Sequence, residues 1–157
     1  MHRLVVAIGM ASAIAASAPA TAQSAAEAPS TYDAARAQAL GADEHGMRSY
    51  VFVVLKTGPT PLPAGPARDA MFQGHFANIG RLAAAGKLAV AGPFDGVDGW
   101  RGMFIFAVKD VDEARQLVAT DPVIAQGEMV AEFHRYYGSA ALMDVNATHE
   151  KIAKKSF

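Results

Sequence analysis

The chain has no cysteine among its 157 residues. Disulfides and thiolate-held metals are therefore excluded. It also lacks an excess of charge: 14 Lys and Arg face 15 Asp and Glu, a formal net charge of −1. Without a basic patch, nucleic acid is not an expected partner. No Gly-rich phosphate loop, nucleophile elbow or dinucleotide fingerprint occurs. His149-Glu150 is not followed by a histidine at i+4, so there is no zinc-protease motif. Asp95 and Asp98 share a Gly-rich loop, but one too short for a calcium-binding hand. Neither a metal nor an organic cofactor is expected.

Long apolar runs are also missing, except at the start. Arg3 gives a basic start, residues 4–18 are apolar and small, and Ala20-Thr21-Ala22 is a small-x-small cleavage signal. This predicts a signal peptide cut after Ala22 and a periplasmic or secreted protein. No later run approaches the roughly 18 apolar residues of a membrane span, so no membrane association is expected after cleavage. Loss of Arg3 leaves the mature chain slightly acidic, and enough residues remain for one domain with a real core.

The expected organisation is a signal peptide at 1–22, a linker with a short helix at 23–48, an α+β domain at 49–138 and a C-terminal tail with a short helix at 139–157. Thr31 or Ser30 is expected to cap the first helix and Gly41 to stop it. Residues 50–55 (YVFVVL) read as a strand covered on both faces, and the Pro- and Gly-rich stretch at 56–66 as a loop. From Arg68 to Ala85 the period becomes helical, with Met71, Phe72, Phe76, Ile79, Leu82 and Ala83 on one face. His75 falls inside that face. Gly86 supplies a left-handed stop. Strands follow at 88–91 and 103–108, and a helix capped by Asp110 or Asp112 runs to Ala119. The last strand alternates over 128–137: Met129, Ala131 and Phe133 point one way, and Glu128, Val130, Glu132, His134 and Tyr136 the other. The order β-α-β-β-α-β predicts a ferredoxin-like protomer with helices on one sheet face. Because the first and third strands are apolar on both sides and no element remains to cover the second face, a homodimer with face-to-face sheets is expected.

The motifs GHFANIGRLAAAGKLAVAGPF, the GMFIFAV strand followed by VDEARQLVATDP, and the final strand resemble the YCII-related (YciI-like) family. The flanks resemble an exported subgroup. The resemblance implies a dimeric α+β barrel and a His-Asp pair, by position His75 and Asp121. It also implies that some relatives act as dehydrochlorinases on halogenated hydroxyquinols.

Two readings of each candidate stay open. His75 is a general acid/base whose tautomer Asp121 fixes, or a core imidazole bonded to a backbone carbonyl. Asp121 holds His75, caps the turn at Pro122, or does both. Trp100 and Arg101 either bind a planar anion by stacking and a charge-assisted hydrogen bond, or the tryptophan folds back over a core edge. Glu132 and His134, with Glu128, either face a pocket between sheets or form a solvated face. The leading expectation is a small-molecule enzyme using a His-Asp acid/base pair in a lyase, dehydrochlorinase-like or hydrolase step. The alternative is a non-catalytic, small-ligand-binding dimer.

Overall fold

β-Branched and aromatic residues dominate the segment around Tyr50, and it forms the centre of the sheet. The structure, a computed structural model, describes residues 31–155. The expected signal peptide, its cleavage site and Ser30 lie outside the described residues. All elements below belong to one unit, Asp33–Phe157.

The strands are β1 (Met47–Thr57), β2 (Leu88–Pro93), β3 (Trp100–Phe106) and β4 (Met129–Ser139). They form one antiparallel sheet in the order β2-β3-β1-β4. Helices α1 (Ala34–Leu40), α2 (Pro66–Ala84), α3 (Val111–Val118), α4 (Pro122–Ala125) and α5 (Val145–Ile152) complete the unit. The fold is ferredoxin-like α+β, as the element order predicts. β1 is longer than the YVFVVL run, and β3 begins earlier than the apolar stretch, at Trp100. Sheet pairing, not local composition, sets those ends.

Period-two alternation divides the sheet into two apolar faces. Val51, Val53 and Leu55 join Phe104, Phe106 and Met129 beneath the helices, with Met71, Leu82, Val118 and Val123 packed on them. Tyr50, Ala89, Ile105 and Ala107 lie on the opposite face. The expectation that the chain has no element left for this second face is corrected. A 3₁₀ segment, Ala140–Asp144, returns across it and packs Leu142 and Met143 against that cluster. The Tyr50 hydroxyl donates to the Ser139 carbonyl at 2.9 Å and ties the segment down. Farther along, Val130 and Tyr136 stay 45% and 41% exposed, so the cover is partial.

The first helix is capped by neither Thr31 nor Ser30. Asp33 is the N-cap and accepts from the Arg36 N–H at 2.9 Å, because its carboxylate stands next to the first helical turn. Gly41, at φ 67°, stops the helix as expected. Gly86 ends α2, also at φ 67°. Its N–H donates to the Ala83 carbonyl, and the Lys87 N–H donates to that of Leu82. This pair of bonds closes the helix end in a Schellman turn.

Candidate active site

The buried stripe of α2 is Met71, His75, Asn78 and Leu82, a 4-3-4 spacing that follows the helical period. It is rotated from the face expected from apolar residues alone. Phe76 is 45% exposed and Ile79 only half-buried. The reason is that α2 does not press its whole apolar face onto the sheet. Phe72, Phe76 and Ile79 instead wall a cavity of about 840 Å³ between α2 and strands β2 and β3. His75 and Phe104 also line it. Volume and apolar lining suit a small-molecule site.

Asp121 reaches His75 from the α3–α4 junction. It is fully buried, and its two carboxylate oxygens lie 2.9 and 2.8 Å from His75 Nδ1. An ionised carboxylate only accepts, so Nδ1 carries the proton and donates. The neutral ring then has its lone pair on Nε2. The same carboxylate is the N-cap of α4, accepting from the Val123 N–H at 3.1 Å. Cap and histidine partner thus coexist in one side chain. Phe72, Phe76 and Phe104 surround the imidazole with centroids at 5.9, 5.4 and 6.1 Å.

Two features hold Asp121 against α2. Gly74 lets α4 approach: a Cβ there would stand 3.0 Å from Pro122 Cγ. A polar cluster ties the same helices together. Arg81 donates to Asn78 Oδ1 at 2.6 Å and to Thr120 Oγ1 at 3.0 Å, and Thr120 donates to the Leu117 carbonyl. Asn78 is invisible to a search for apolar periodicity, since a buried amide reads as a polar interruption.

Glu128 is the second buried carboxylate, 1% exposed. Its placement with Glu132 and His134 on one face is corrected. Gly127, at φ 74°, turns the chain just before β4, and Glu128 lies outside the strand's alternation. It accepts from the Leu62 N–H at 2.7 Å and from Arg68 at 3.0 Å, with Arg101 at 3.7 Å. Burial pushes its carboxyl up, but the Leu62 N–H and the two guanidinium groups outweigh this and hold it below the usual glutamate range. Glu128 therefore anchors the loop after β1 and one side of Arg101, which lines the cavity.

The other sequence candidates stand apart from His75. Trp100 does not line the cavity. It packs on Phe94 at 5.4 Å, with Lys56 Nζ 5.9 Å from its ring, so it folds over a core edge and supports a wall residue. Glu132 and His134 pair with each other at 2.9 Å, and Lys56 also binds Glu132. That ammonium holds the Glu132 carboxyl below its ordinary range. Both residues are exposed on the sheet face away from the helices, because their alternation with Ala131 and Phe133 puts them there. Among the described residues, no three metal-ligating side chains converge.

The family model for the YCII-related domain matches residues 49–133. No curated protein matches the chain. Among solved structures, the chain is similar to a 5-chloro-2-hydroxyhydroquinone dehydrochlorinase from Burkholderia phenoliruptrix AC1100 in complex with 2,5-dihydroxybenzoquinone. The identity is 22% and the TM-score 0.40, over 55% of this chain and 92% of that one. The family match spans β1 through the first half of β4 and includes both His75 and Asp121, and on it the chain belongs to the YCII-related domain family.

Proposed function

We propose that this protein is a small-molecule enzyme in which His75, oriented by Asp121, exchanges a proton with a substrate held in the apolar cavity, and that it works as an exported homodimer. One observation carries the catalytic reading. A buried imidazole donates Nδ1–H to a buried carboxylate on the wall of an apolar cavity of about 840 Å³. A core histidine needs a partner but no cavity, and a plain cap needs no histidine.

The pair suits proton abstraction with elimination. Nε2 takes a proton from an acidic O–H or C–H of the substrate. A double bond forms, and the leaving group departs with its electron pair. The imidazolium that results is stabilised by Asp121 and later gives its proton to water. A hydrolytic step uses the same base on a water molecule. Positioned acid/base transfer of this kind contributes about 10²–10⁴-fold.

Export follows from the basic start and apolar run of residues 1–22. Dimerisation is supported by the partly covered sheet face, where Val130 and Tyr136 stay exposed. Light scattering on the purified protein, with Val130→Lys beside it, tests this: a dimer that the lysine dissociates is expected, and a monomeric wild type refutes it.

The decisive experiment incubates the protein with a panel of halogenated and hydroxylated aromatics and follows products by mass spectrometry. Turnover that His75→Gln reduces at least 100-fold, with the fold intact by circular dichroism, is expected. Binding without product across the panel favours the non-catalytic binding module and overturns the catalytic reading.

A further inference from the structure

The cavity's outer wall comes from outside the family domain, which ends at residue 133. The C-terminal segment leaves β4, crosses the far face and runs along the edge strand β2 as α5. Three ties hold it there. Leu142 and Met143 sit in the far-face cluster, Arg36 pairs with Asp144, and the Asn146 amide donates to the Leu88 carbonyl at 2.8 Å. From that anchor, His149, Glu150, Ala153, Lys154 and Lys155 line the same cavity as Phe76 and Ile79.

This wall changes the chemistry of the site. Its apolar lining includes Phe94 and Ile79, with Phe72, Phe76 and Phe104 around His75. Lys154 and Lys155 add two cations and Arg101 a third, against one carboxylate from Glu150. Arg101 shares the Glu128 carboxylate with Arg68, at 3.7 Å and 3.0 Å, so one buried carboxylate faces two guanidinium groups. The result is a greasy interior with an excess of positive charge in its lining. An apolar ring system gains by burial against phenylalanines. An acid group on the same molecule gains from ammonium and guanidinium donors.

We propose that residues 149–155 are a ligand-selecting wall of the His75 cavity, and that the molecule it admits is a planar apolar body carrying a permanently charged acid group. The acid group faces Lys154, Lys155 and Arg101, and the ring system reaches His75. This rests on the reading that the cavity is a ligand site, but not on any turnover there.

Two fluorescent probes test it: 8-anilinonaphthalene-1-sulfonate and N-phenyl-1-naphthylamine, which has the same rings without the sulfonate. The anionic probe is expected to bind the purified protein about tenfold more tightly. The double variant Lys154→Gln/Lys155→Gln is expected to weaken the anionic probe about fivefold, in line with two partly exposed charge contacts. The neutral probe should change less than twofold, which also reports that the wall still folds. Added salt should weaken the anionic probe alone. Equal wild-type affinity for the two probes overturns the proposal, as does a parallel loss of both in the double variant. Anionic binding that survives Ile79→Trp, which fills the cavity without adding charge, places the probe outside the cavity and overturns it as well. The two readings fail separately: the probes report binding and not turnover, so the preference for the anionic probe stands even if no substrate is ever turned over, and its absence leaves the catalytic reading to be judged by product formation alone.

Discussion

Asp121→Asn changes one oxygen to an NH₂ and should reverse the histidine it holds. Oδ1 accepts from both the Val123 N–H and His75 Nδ1. The amide oxygen therefore keeps the cap, which leaves NH₂ where Oδ2 stood, 2.8 Å from Nδ1. Two donors cannot face each other at that distance, so the ring proton moves to Nε2 and Nδ1 accepts from the amide. The cap, volume and bond count survive. Stability should fall by only about 1 kcal/mol, the difference between a charge-assisted and a neutral hydrogen bond. On the proposed mechanism turnover should fall far more, because the nitrogen assigned to take the substrate proton then carries one. The same swap in serine proteases costs about 10⁴-fold through the wrong tautomer. Asp121→Ala gives the contrast. It removes the cap, about 1 kcal/mol, and leaves a buried Nδ1–H without an acceptor, about 1–3 kcal/mol. The sum is roughly 2–4 kcal/mol. Urea midpoints at unchanged slope measure both losses, and long-range ¹H–¹⁵N correlation of the ring reads the tautomer. Retention of the Nδ1–H tautomer in the asparagine variant, or an alanine variant within 1 kcal/mol of wild type, refutes the reasoning.

Glu128 has a depressed carboxyl in the folded state, so its stabilisation is present above the usual glutamate range and is lost as pH falls through its folded value. Glu128→Gln should therefore cost about 1–3 kcal/mol at neutral pH, with the gap to wild type closing in acid; urea unfolding across pH 3–7 measures it. Leu82, 1% exposed in the main core, should cost about 2–5 kcal/mol as Leu82→Ala in the same assay. Gly86→Ala forces a side chain into φ 67° and should cost about 1–2 kcal/mol, read as a lower midpoint with unchanged helix content by circular dichroism.

Much of the fold was legible because its signals are local. The YVFVVL run, the Gly86 stop, the cap at Asp110 or Asp112, which the structure gives to Asp110, and the alternation after Glu128 each lie within a few residues of their cause. The rotation of α2 was not legible, since a helical wheel ranks apolar residues but cannot know that Phe76 and Ile79 face a cavity rather than the sheet. Asn78 was missed and Glu128 misplaced for a related reason. Asn78 is balanced by Thr120, 42 residues away, as well as by Arg81 on its own helix, and Glu128 by Arg68 and the Leu62 N–H, 60 and 66 residues away, and partners so distant leave no periodic trace. The far face was expected to wait for a second subunit, but Leu142 and Met143 come from a tail that carries no strand signal.

By itself, the sequence determined the element order, the ferredoxin-like class, the absence of thiol chemistry and, through family motifs, the two residues worth pairing. Hydrophobic period and turn chemistry are short-range, so they are written in consecutive residues. Only the tertiary structure decided that Asp121 serves as cap and histidine partner at once, that Trp100, Glu132 and His134 stand away from His75, and that the C-terminal helix brings two lysines to the cavity. Those are distances between segments far apart in the chain, and they exist only once the sheet has brought the segments together.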